Sequence, residues 1–133
     1  MMDRIDIQCE IQAVPFEDLN KMAPGEKSDT IRERVIRARK IQEERYKDSA
    51  LIHCNAQMTD RMIHEYCVMD DVATEQLRAA MKKYSFSARA YTRILKVART
   101  IADLAGSDII RMEHVGEAIQ YRQLDRSDWC NRM

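Results

Sequence analysis

The stretch from Ser87 to Gly106, SARAYTRILKVARTIADLAG, constrains this chain more than any other. At ~100° of helical turn per residue, Arg89, Thr92, Arg93, Lys96, Arg99, Thr100 and Asp103 fall within an arc of about 120°, and every apolar residue falls outside it. The pattern predicts a long helix with one buried face and one cationic, solvent-facing face. Its ends are marked too. Ser87 suits an N-cap, Phe86 and Tyr91 stand at the two positions of a hydrophobic staple, and Gly106 stands where a helix-terminating glycine belongs.

The first turn of this helix carries the main chemical signal. Arg89 falls at its second position, where unpaired backbone N–H groups and the positive end of the macrodipole already favour an anion. A guanidinium there is locally unfavourable unless an anion joins it. The residues alone leave two readings open, an anion contact and a solvated arginine on the exposed face.

Composition sets the class. Of 133 residues 33% are charged, only 6% are aromatic, and there are three glycines and two prolines, which points to a helix-rich unit with few turns. One compact core is the expectation at this length. Basic and acidic residues balance at 22 each, so no overall field draws the chain to nucleic acid or to a membrane surface. Cys9, Cys54, Cys67 and Cys130 form no C-x-x-C pair, and there is no signal peptide and no run long enough to span a bilayer. A reduced, cytoplasmic setting is expected, with no membrane partner.

Before the central helix, Arg4 to Val14 alternates Ile5, Ile7, Cys9 and Ile11 with polar residues, the period of a strand that Pro15 ends. Residues 16–27, with Pro24 and Gly25, read as a linker or hinge. Thr30 and Glu33 fit a capping box for a helix to about Lys47, with Ile31, Val35, Ala38 and Ile41 as its apolar stripe. Arginines and lysines crowd the rest of it, either a contact for DNA phosphates or an acidic neighbour, or a solvated face. Thr59 caps a short helix and Asp71 a longer one; a last helix runs from about Glu113 to Leu124. His53, Cys54, His64 and Cys67 raise a zinc site, but without the paired spacing such sites use, so no metal site is assigned. Trp129 is expected to dock the tail.

The run Ser87-Ala88-Arg89, the continuation from Arg93 to Gly106, Glu113-His114 and the segment Glu117 to Arg122 resemble the C-terminal part of the magnesium-chelatase-like ComM/YifB family of AAA+ ATPases. Asp3-Arg4-Ile5-Asp6-Ile7, Arg32-Glu33-Arg34-Val35, Ala38-Arg39 and Gln42 extend the likeness over nearly the whole chain. The resemblance implies a mainly α fold: a small helical bundle of the AAA+ lid type over 28–133, with a short N-terminal strand left over from the ATPase core in 1–27. It implies that Arg89 is the sensor-2 arginine facing the phosphates of ATP, and that Arg4 is an arginine finger reaching a neighbouring subunit's nucleotide. The leucines that precede this finger in the family are replaced by Met1-Met2. ATP and Mg2+ are the implied cofactors of a longer parent chain, from whose back end this stretch would come; none is expected for the stretch alone, because it has no G-x-x-x-x-G-K-[ST] loop. The implied partners are the AAA+ core of the same chain, neighbouring subunits of a hexameric ring, and DNA acted on in competence or recombination. Two alternatives remain: the lid of a magnesium chelatase acting in porphyrin metallation, and a free-standing helical interaction module.

Overall fold

The computed structural model describes residues 5–9, 11, 13, 15–19 and 25–122. Its helices are α1 (Phe16–Leu19), α2 (Ser28–Arg45), α3 (Asp60–Tyr66), α4 (Asp71–Tyr84), α5 (Ala88–Leu104) and α6 (Met112–Gln120), with a 3-10 turn at Asn55–Gln57. The chain is a mainly helical bundle built around α5, which α6, α2, α3 and the 3-10 turn all touch. The most extensive packing is between α5 and α6, with Ala98 and Ala102 of α5 and Val115 and Ala118 of α6 all buried. Small side chains let the two helix axes approach, and Ile94, Leu95, Leu77 and Ile110 fill the space around them.

The helix ends follow from local chemistry. Ser87 Oγ accepts from Ala90 N at 3.1 Å, and Thr59 Oγ1 accepts from Met62 N at 3.3 Å. At α4 the cap is Asp70 rather than Asp71, its carboxylate accepting from Ala73 N at 2.8 Å. The end of α5 is a Schellman turn: Ser107 N donates to Ala102 O at 2.8 Å and Gly106 N to Asp103 O at 3.1 Å, with Gly106 at φ 71°. A non-glycine residue at that φ would be strained. Residues 107–111 then form a short tie, bent at Asp108 and Ile109, with Ile110 bridging in parallel to Met69.

Three expectations give way. Ile5 to Cys9 are not in a strand, nor are the other described residues before Pro15. A strand needs an edge to pair with, and the described residues offer none, so the segment lies irregularly on the bundle, Gln8 N donating to Tyr121 O at 2.8 Å. Nor does the capping box of α2 form: its N-cap is Lys27, without a side-chain cap bond. Of the predicted stripe only Ala38 is buried, beside Gln42, while Ile31, Val35 and Ile41 stay exposed. Among the described residues the helix is seated through its C-terminal half, and its first turns, Ser28 to Arg37, stand exposed as an overhang. A groove of about 500 Å³ runs under this overhang, lined by Val35, Ala38, Cys54, Ala56 and Leu104 among others. The core of the linker (20–24) and Trp129 lie outside the described residues.

The third correction concerns the polar face of α5. Its C-terminal half is not solvent-facing, since Arg99 and Asp103 are each only 2% exposed. Arg45 reaches from the end of α2 to form a two-pronged pair with Asp103, at 2.7 and 2.8 Å. Arg99 Nε also donates to Asp103, at 3.2 Å, while its terminal nitrogens donate to the carbonyls of Tyr66, Ser107 and Asp108. Asn55 completes the cluster, donating to Asp103 and Thr100 and accepting from Tyr46 Oη at 2.7 Å. One carboxylate thus joins α2, α5, the 3-10 turn and the tie after α5. Burying so many charges is costly, and the hydrogen bonds that saturate them are what make it tolerable.

Two further groups belong to this buried region. Burial pushes the Tyr46 phenol up to about 12 against the opposing pull of Arg45, and burial pushes the Cys67 thiol up to about 11 against Arg99. Both are neutral when protonated, and both have folded values above their unfolded ones of 10.0 and 9.0. Their stabilising contribution is complete below the unfolded values and is lost as pH rises through the folded ones. Urea melts should therefore show stability falling between about pH 9 and 12, with a shallower fall in Cys67→Ala. Replacing Asp103 by Asn should cost about 3–5 kcal/mol, because it leaves the buried Arg99 and the largely shielded Arg45 without their counter-charge. A loss under about 1 kcal/mol in the same melts would contradict the cross-linking role.

Candidate functional site

The two ends of α5 carry charges that its dipole disfavours. No acidic residue lies in its first turn and no basic one in its last; instead Arg89 stands near the N-terminus and Asp103 near the C-terminus. At the C-terminal end the mismatch is resolved inside the protein, where Arg99 and Arg45 clasp Asp103. At the N-terminal end it is not: Arg89 is exposed, and its side chain has no hydrogen bond or ion pair among the described residues. A guanidinium and the free N–H groups of a capped helix start therefore face solvent together, an arrangement suited to phosphate or carboxylate oxygens.

One turn along the same face, Arg93 is partly shielded and holds an anion of the chain's own, the carboxylate of Asp6. Arg122, buried at the end of α6, donates to the carbonyl of Ile5, and Gln8 is fixed to Tyr121. The N-terminal segment is thus fastened across the start of α5 and the end of α6. Reading the sequence alone missed this attachment. Arg93 was legible as a cation on the polar face, but nothing in the spacing of the chain places Asp6 beside it.

The other candidates fare differently. Arg4 lies outside the described residues. His53, Cys54, His64 and Cys67 do not converge; among the described residues no group of three or more His, Cys, Asp or Glu side chains is placed to hold a metal. On α2 the basic side chains do not make a single charged face, since Arg34 is paired with Glu26 and Arg45 is committed to Asp103. Arg32, Arg37, Arg39 and Lys40 remain exposed. Among the described residues no helix is long and apolar enough to cross a membrane.

Sequence comparison with known proteins covers most of this chain. The chain is 38% identical over 126 residues to YifB of Escherichia coli, and 38% identical over 126 residues to the competence protein ComM of Haemophilus influenzae; each alignment takes in 94% of this chain and 24% of the relative. A protein of Mycobacterium tuberculosis matches at 27% over 123 residues. The chain spans about a quarter of the length of these curated relatives. Residues 25–122, from just before α2 to the end of α6, match the family described as magnesium chelatase, subunit ChlI C-terminal, and the chain belongs to that family together with YifB and ComM.

Proposed function

We propose that this helical unit is the lid of a magnesium-chelatase-like AAA+ ATPase, and that Arg89 is its contact to the phosphates of ATP. The observation that carries the proposal is the unresolved charge at the start of α5: an exposed guanidinium beside a capped helix N-terminus, with no counter-ion among the described residues. These groups fit a phosphate. They do not amount to a nucleotide site, because the chain has neither a phosphate-cradling loop nor the acidic pair that would hold Mg2+. ATP and Mg2+ would be held by an AAA+ core elsewhere in a longer chain, with Arg4 as an arginine finger toward the next subunit of a hexameric ring.

When bound, ATP supplies the phosphoryl group that is passed to water. This chain's part is to present Arg89 to the phosphate oxygens, where its charge-assisted hydrogen bonds strengthen as negative charge develops. Because α5 is packed against α6 and tied to α2 through Asp103, a displacement felt at Arg89 moves the unit as one body. Kinship with a competence protein supports remodelling of DNA as the work this motion performs, in the cytoplasm; the exposed arginines of α2 are then the nearest candidates for phosphate contacts. The description of the matched family supports a second reading, magnesium insertion into a porphyrin.

The test is ATP turnover by a full-length protein carrying this chain, with and without branched DNA. Arg89→Ala should lower turnover by about a hundredfold while leaving helix content and melting temperature unchanged, since the exposed Arg89 side chain makes no hydrogen bond or ion pair among the described residues. Stimulation by DNA that disappears in the variant supports the DNA-remodelling reading. Turnover that needs Arg89 but ignores DNA favours the chelatase reading. Unimpaired turnover of Arg89→Ala removes the phosphate role and leaves a helical interaction module.

A further inference from the structure

We infer that Asp6 is a resident anion that occupies Arg93 when no phosphate is bound, so that phosphate binding at the start of α5 and attachment of the N-terminal segment compete. This rests on the reading of Arg89 as a phosphate contact and adds to it a second arginine and a release mechanism. Arg89 and Arg93 lie four residues apart on one face of α5, close enough to serve a single polyphosphate. Among the described residues only Arg93 of the two has a side-chain partner, and that partner is a carboxylate, the protein's own nearest likeness to a phosphate oxygen pair.

The strength of the contact suits displacement. Asp6 remains 48% exposed and Arg93 25% exposed, so water screens their attraction, and pairs of this kind contribute little to stability. A polyphosphate carries more charge than a carboxylate and also gains the free N–H groups of the helix start, which Asp6 does not use. The exchange need break no core contact. What it would loosen is the fastening of the segment to the bundle, which includes the bond of Arg122 to Ile5 O and that of Gln8 N to Tyr121 O. Linkage makes the effect reciprocal: if phosphate loosens the segment, the docked segment must weaken phosphate binding by the same factor.

The experiment is titration of this chain with inorganic tripolyphosphate at fixed ionic strength, followed by the backbone amide signals of residues 88–93, with hydrogen exchange read at the Gln8 amide. Asp6→Asn should bind tripolyphosphate about two- to fivefold more tightly than the parent sequence, the factor an exposed ion pair corresponds to. In an Arg93→Ala background the same substitution should change nothing. Saturating tripolyphosphate should speed exchange at Gln8 in the parent sequence and have no such effect in Arg93→Ala. Equal affinity in Asp6→Asn, or a gain that persists without Arg93, would overturn the competition and leave the role of Arg89 standing. Unchanged binding by Arg89→Ala would instead remove the phosphate reading, and the competition with it.

Discussion

The carboxylate of Asp103 is the point on which the rest of the bundle depends. It receives Arg45 from α2, Arg99 from its own helix and Asn55 from the 3-10 turn, and Arg99 goes on to gather the backbone carbonyls that lead from α5 into α6. Apolar packing brings the helices together, but it is non-directional and would tolerate more than one register. A saturated polar cluster does not, since any slip leaves a buried charge unpaired. The two arginines and one aspartate therefore fix how α2 stands on α5 and where the chain turns at Gly106.

This arrangement explains which parts of the fold were legible in the sequence. Helices α3 to α6 announced themselves through periodicity and caps, and Ser87, Thr59 and Gly106 act as their residue types suggest. The polar arc of α5 was legible as an arc but misread as a surface, because a helical wheel shows which residues share a side and not what covers that side. A signal was present nonetheless: an aspartate in the last turn opposes the dipole and so calls for a cation, which Arg99 at i−4 supplies in part. The apolar stripe of α2 failed for the opposite reason. Its period was correct, but Ile31 and Val35 stay exposed among the described residues, and amphipathic pattern carries no information about the length of the neighbour.

The N-terminal residues show a different limit. Alternation at Ile5, Ile7, Cys9 and Ile11 is a statement about a sheet, and without an edge to join, the same residues settle into irregular contacts anchored by Arg93 and Arg122. At the candidate site, Arg89 was legible because its residue type is wrong for its helix position. Arg93 was not, because its meaning lies in a partner 87 residues away.

The overhang of α2 has a mechanical consequence. From Ala38, its buried residue nearest the N-terminal end, back to Ser28 is about 15 Å at the rise of an α-helix, and from the clamp at Arg45 about 25 Å. A rod clamped at one end magnifies whatever tilts the clamp: a rotation of about 10° at Asp103 and Arg45 sweeps the free tip through about 4 Å. Small rearrangements in the interior of the bundle would thus be read out, enlarged, at Ile31 and Arg32.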